Sequence, residues 1–372
     1  MTANRRPTDA DYERAGLFDP ATDVETGRLD LLDWLFEHGL SVDDMVDALA
    51  RGALGAIIGD RLLVPGERRT REWAIEASGL TPARFDDLVI ALDFASIDGS
   101  PVGEISFTEA EARSLAVLDA LSAIFSESEA LVLVRVISSA VSRIAEAAVS
   151  LFLTDIESRA VREGANELGQ AEQVVEAIAL VDGLAAELDA LLRRQILQAI
   201  ERTRRTTIDQ AERFVYRYAV GFVDLVGFTA LSGSMPAPEL AGFLRDFEAR
   251  AQALAGDAGA RIVKFIGDEV MFVATDAAAA CRAGMALMSV TEDESIVPRG
   301  GLAFGEVLPR AGDYYGAVVN LAARIVDEAV PGEVLVTEAL ADAAPECDFE
   351  PAGRRVVKGF DDPVAVQTLR RV

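Results

Sequence analysis

Two aspartates in the second half of the chain stand where charge is expensive. Asp224 follows Phe222 and Val223 and precedes Leu225 and Val226, so an ionised carboxylate there is costly unless it is paired or bound to metal. Asp268 follows Gly267 between the apolar runs 261–266 and 270–273, a hairpin signal. Carboxylates on neighbouring strand ends can hold two Mg²⁺ or Mn²⁺ ions, with a ribose 3′-hydroxyl activated at one and a triphosphate bridged by both. The plainer reading makes Asp224 a turn cap and the Gly-Asp pair ordinary hairpin chemistry.

Two further polar pairs complement the acids. Lys264 as donor and Asp313 as acceptor match the N1 and N6 positions of adenine, whereas guanine would need the polarity rearranged. Taken singly, Lys264 also reads as a snorkelling strand residue and Asp313 as a turn residue after Gly312. Asn320 and Arg324 are four apart in a helical stretch and share one face. The asparagine suits orientation of a ribose and the arginine stabilisation of charge developing at phosphorus, against plain helix solvation for Arg324. The turn from Gly227 through Phe228 to Thr229 would expose backbone N–H groups beside Asp224.

The elements that must position these residues alternate. Strand-like runs begin at Tyr216, a helix spans 236–255, strands flank Gly267 and Asp268, and a helix covers 276–288. A strand over 300–308, a helix over 318–327 and a strand over 333–336 complete an α+β domain. Upstream, from Leu29 to about Leu192, the periodicity is helical: Ser41 to Asp44 is a capping signal, and 70–94 reads as two helices around Gly79. That pair has a helix-turn-helix pattern, but Asp86, Asp87 and Asp93 on its second helix would face phosphates unfavourably, which favours a packed helical hairpin. Helices are also expected over 129–153 and 170–192. The first is apolar enough to be nearly surrounded by protein, in a core or a dimer contact, with a groove for a lipid or other apolar effector as the alternative. Arg193, Arg194, Arg202, Arg204 and Arg205 mark a connector helix. The expected domains are therefore a helical regulatory domain over 1–192, a linker helix over 193–214 and a catalytic domain over 215–372.

Bulk properties narrow the partners. The 372 residues are 51% hydrophobic, enough for two ordinary cores, and the net charge of −27 opposes nucleic acid and anionic lipid. Cys281 and Cys347 are the two cysteines, which excludes a disulfide framework. No apolar stretch follows Arg5 and Arg6, so a secretory signal is not expected. Arg135, Arg143 and Glu146 argue against a membrane span over 130–153, and the expectation is a soluble cytoplasmic protein.

With these positions in order, residues 215–372 resemble the class III adenylyl cyclases. The resemblance implies a ferredoxin-like core that turns ATP into cyclic AMP and pyrophosphate as a head-to-tail homodimer. It implies metal binding by Asp224 and Asp268, adenine selection by Lys264 and Asp313, and transition-state stabilisation by Asn320 and Arg324, the metal aspartates of each site coming from one chain and the other four residues from its partner. It further implies a metal contact from the Leu225 carbonyl, phosphate contacts from Gly227, Phe228 and Thr229, and a triphosphate contact from Lys358, although Phe360, Asp361 and Asp362 depart from the second basic residue many relatives carry. Asp313 argues against the bicarbonate-responsive branch, which has Thr there. Trp34 to Asp44, the 72–94 hairpin and Val132 to Val136 look like the helical regulatory domain of actinobacterial soluble cyclases, some of them acid-activated. His38 is the chain's one histidine, so any proton response would draw on clustered carboxylates as well. Gly267, Asp268 and Glu269 also suggest a diguanylate cyclase, but lack that signature's doubled glycine and following Phe. A guanylyl cyclase, or an inactive nucleotide-sensing or helix-turn-helix regulator, would also be compatible with parts of this pattern.

Overall fold

The computed structural model describes all residues except 1–4, 24–26, 95–105, 158–165, 207–215 and 294. The chain forms two compact units, Met1–Arg193 and Arg194–Val372.

The first unit is helical: α1 (Asp9–Arg14), α2 (Arg28–Glu37), α3 (Val42–Ala50), α4 (Ile57–Leu63), α5 (Arg71–Ser78), α6 (Pro82–Ala91), α7 (Glu109–Asp119), α8 (Glu127–Leu151) and the first part of α9 (Glu167–Thr206). Local chemistry sets their ends. Ser41 Oγ accepts from Asp44 N at 3.1 Å while Ser41 N donates to Asp44 Oδ2 at 2.8 Å, a reciprocal box opening α3. Gly79 takes φ 71° to close α5, and Thr81 with Pro82 opens α6. The hairpin packs inward, with Phe85 and Leu88 buried beside Phe107, Leu115 and Val134 in one core. Asp86 is held by Arg71 at 2.6 Å. A separate core gathers Tyr12, Leu31, Leu32, Leu35, Met45 and Ala171.

Two expectations concern α8. Ala130 and Val134 are buried, but Val141, Ile144, Val149 and Leu151 are between 42% and 64% exposed, so the helix is not surrounded by its own unit. Composition reports how apolar a helix is, not where its neighbours lie. The stretch Glu127–Thr154 is also long and apolar enough, by length and composition, to cross a membrane, with a mean hydropathy of 1.6. The three charges do not exclude a span, because the 18 residues after Arg135 contain only Arg143 and Glu146. The helix expected over 170–192 runs on through Thr206 and absorbs the arginine-bearing stretch. Residues 207–215, with the end of the expected linker, lie outside the described residues.

The second unit is α+β. Its elements are β1 (Tyr216–Val226), α10 (Phe228–Ser232), α11 (Ala237–Asp257), β2 (Arg261–Ile266), β3 (Glu269–Ala274), α12 (Ala277–Leu287), β4 (Val297–Arg310), β5 (Asp313–Tyr315), α13 (Ala317–Glu328), β6 (Val334–Thr337), α14 (Glu338–Ala343), β7 (Asp348–Arg355) and β8 (Val364–Arg371). The sheet order is β2-β3-β1-β4-β6-β8-β7, with β5 paired to β4 off that path. β1 is central, antiparallel to β3 and β4, and its side chains alternate between two cores. Ala219, Val223 and Leu225 face α11 and α12, while Tyr218, Val220 and Phe222 share the other face with Ala322 and Val326 of α13.

One glycine sets how closely α13 lies on the sheet. A Cβ at Gly301 would stand 2.3 Å from Val326 N and 2.8 Å from the Ala322 carbonyl, so the helix rests directly on β4. The periodicity did not mark α10, β5, α14, β7 or β8. The first three are short, and β7 mixes Asp348, Glu350, Pro351, Gly353 and Arg354 into a strand without clean alternation.

Candidate active site

Asp224 lies near the end of β1, directly opposite Arg299 of β4 in the register. Arg299 donates from Nε at 2.9 Å and from Nη2 at 2.8 Å to Asp224 Oδ2. The pair is three-quarters buried, with side chains 23% and 22% exposed. An ionised group in an apolar strand was expected to need a partner, and the protein supplies a guanidinium. Leu225 is buried, and Gly227 follows at φ 99°, where a Cβ would meet the Ser295 carbonyl at 2.7 Å. That left-handed turn starts α10, with Phe228 and Thr229 in its first turn.

Asp268 occupies the turn between β2 and β3, and Glu269 begins β3. Burial pushes the Asp268 carboxyl upward, and the charge of Asp224 adds to the rise, which marks the two acids as neighbours. Glu269 is pushed further, to about 7, by burial and then by Asp224, Asp327 and Asp268. Among the described residues no group of three or more His, Cys, Asp or Glu side chains is gathered closely enough to hold a metal ion. Asp224 and Asp268, with a backbone oxygen such as that of Leu225, are the groups that could hold a divalent cation here. A cation between them would offset the Asp224 charge that adds to the effect of burial on Asp268.

Lys264 of β2 and Asp313 of β5 form a direct ion pair, 49 residues apart in sequence. Both remain partly open, at 40% and 27% exposure. Asp313 also accepts from Tyr314 N at 2.8 Å, and Tyr314 is fixed in turn by Arg261, whose Nη2 donates to its hydroxyl at 3.1 Å. Lys264 pairs with Asp313 and not with Asp268, although the latter is four residues away. Phe228, Phe243, Phe247 and Phe265 form a column with successive ring spacings of 5.4, 6.4 and 5.7 Å, joining the glycine turn to β2 beside Lys264.

Asn320 and Arg324 project from the exposed side of α13, and the apolar positions of that helix, Ala322, Ile325 and Val326, are buried. Asp327 continues the polar stripe and lies 3.8 Å from Arg324 and 3.7 Å from Arg299. Lys358 is exposed in the loop after β7, and β7 and β2 are opposite ends of the sheet order. Sequence reasoning missed Arg299, Asp327 and the positioning pair Arg261 and Tyr314. Their roles depend on cross-strand register and on which helix end meets which strand, neither of which is written in local pattern.

Similarity to known proteins was found over both halves. Residues 215–368 match the adenylate and guanylate cyclase catalytic domain family. An uncharacterized protein of Mycobacterium tuberculosis is 32% identical over 355 residues, covering 95% of this chain and 91% of its own. An adenylate cyclase of Streptomyces coelicolor is 32% identical over 307 residues, covering 81% and 77%. The crystal structure of the adenylyl cyclase CyaB from P. aeruginosa covers 42% of this chain and 95% of its own, at 22% identity and a TM-score of 0.39. With its acids, its Lys–Asp pair and its Asn/Arg helix carried on an α+β sheet of this order, the chain belongs to the class III adenylate and guanylate cyclase family.

Proposed function

We propose that this chain is an adenylyl cyclase that converts ATP to 3′,5′-cyclic AMP and pyrophosphate as a homodimer with composite sites. The observation that carries the choice of base is the Lys264–Asp313 pair, a donor on β2 beside an acceptor on β5. Lys264 would donate to adenine N1 and Asp313 would accept from N6. Asp224 and Asp268 would hold Mg²⁺ or Mn²⁺, which when bound supplies Lewis-acid activation of the 3′-oxygen and charge neutralisation on the phosphates. The turn Gly227–Thr229 would lie along the phosphates, Asn320 would orient the ribose and Arg324 would meet the charge that develops as pyrophosphate leaves, with Lys358 as an outer triphosphate contact.

The name of the Streptomyces relative supports ATP as substrate. The exposure of Asn320 and Arg324 on α13 leaves both side chains open to a second protomer, which supports composite sites. The first unit is proposed to regulate the second, through protons or an apolar ligand, and the protein to work in the cytoplasm. Purified protein given ATP or GTP with Mg²⁺ or Mn²⁺ is expected to release cyclic AMP and pyrophosphate from ATP alone. Turnover of GTP with equal kcat/KM would sink the base assignment. Rates of the full chain and of a chain shortened to begin at Thr206 are expected to differ across mildly acidic to neutral pH, and identical profiles would remove the regulatory role.

A further inference from the structure

We infer that Arg299 is a positioning residue that ties together the two halves of catalytic machinery carried by one protomer. The inference rests on the composite-site reading above. In that reading Asp224 serves one active site, whereas Asn320 and Arg324 of the same chain serve the other.

One guanidinium spans both halves. Its Nε and Nη2 grip Asp224 Oδ2, and its Nη1 donates to the Asp327 carbonyl at 2.9 Å, in the last turn of α13. That carbonyl is among those a helix end leaves without an intrahelical partner, so the arginine satisfies it and anchors the end of the helix. The Asp327 carboxylate extends the contact, standing between Arg299 at 3.7 Å and Arg324 at 3.8 Å. Two residues along β4, Gly301 lets α13 touch the strand. Strand and helix are thus in contact where Arg299 crosses from one to the other. A planar fork with several fixed donors can hold a carboxylate and a carbonyl at once, which the single ammonium of lysine cannot do in the same geometry. A shift of Asp224 on engaging its ligands would move the guanidinium, and with it the helix that presents Asn320 and Arg324 across the dimer.

Mixed dimers of two differently tagged chains test this. Asp224→Ala with Arg324→Ala is expected to recover activity, since one site then draws intact residues from each chain. R299K keeps a cation for Asp224 but loses the span to α13. It is expected to complement Asp224→Ala and to complement Arg324→Ala about tenfold to a hundredfold less well, because the misplaced helix then belongs to the site being assayed. Independently of activity, amide hydrogen exchange across residues 317–329 of the R299K chain, without nucleotide or metal, is expected to quicken by about tenfold. Equal complementation of both partners with unchanged exchange overturns the tie. Failure of Asp224→Ala to complement Arg324→Ala would instead refute the composite site, leaving the exchange rates to judge the tie. Circular dichroism and dimer mass establish that R299K assembles. Should it not, Arg299→Gln replaces it, expected to complement neither partner, and its full complementation of Arg324→Ala overturns the tie equally.

Discussion

The two units use apolar residues to opposite ends. In the second unit alanines 277 to 280, Cys281, Ala283 and Leu287 of α12 are all buried against the sheet, and the charged residues that remain inside are paired or grouped at the candidate site. In the first unit the apolar residues are divided between two cores, and α8 and the first part of α9 still display Val141, Ile144, Leu151, Leu180 and Leu191 to solvent. A unit that buries its apolar surface has its chemistry on display as exceptions: a buried acid, a glycine under a helix, a lysine held by an aspartate. A unit that leaves apolar helix faces open displays a need for cover instead, and its polar residues are mostly caps and surface pairs.

Five changes test that contrast, beginning with the largest effect. Arg324→Ala is expected to lower kcat for cyclic AMP formation by about 10²–10³ with an unchanged melting temperature, since Arg324 is exposed and packs no core. A loss of fold instead of rate would mean that the polar face of α13 is structural. Leu32→Ala, at a fully buried position, should destabilise the first unit by about 2–5 kcal/mol, whereas Ile144→Ser should stay within about 0.5 kcal/mol in urea unfolding. A large cost at Ile144 would show that something covers α8 in solution. Gly301→Ala should cost about 1–3 kcal/mol by lifting α13 off β4, and lower kcat as well, because the helix carries Asn320 and Arg324. Retained activity would separate the packing of that helix from its chemistry. Asp44→Asn should remove about 1 kcal/mol near neutral pH. The Ser41 hydroxyl and backbone N–H hold the Asp44 carboxyl below the usual range, so this stability is present above the ordinary carboxylate pKa and is lost as pH falls through the lower folded value. The gap between variant and wild type in thermal melts should therefore close in acid.

Much of the second unit was legible because its signals are local. Apolar runs bounded by Gly267 and Asp268 gave the β2–β3 hairpin, and an isolated aspartate inside Phe222 to Val226 flagged a site, since burying charge is costly wherever the strand goes. The capping residues Ser41, Thr81 and Gly79 were readable for the same reason: a cap is chemistry within four residues. What lay beyond the sequence depends on pairing across long separations. That Arg299 faces Asp224 is a matter of register between strands 75 residues apart. That Lys264 meets Asp313 requires β5, three residues long, to fold back on β4. The apolar stretch of α8 was plain in composition, yet its exposure was not, because burial belongs to the neighbours a helix finds and not to the helix. The sequence by itself determined which residues carry charge, where helices start and which strand holds an acid. Tertiary structure alone decided which of those charges meet and which apolar faces are left open, because both are set by contacts whose partners lie far apart along the chain.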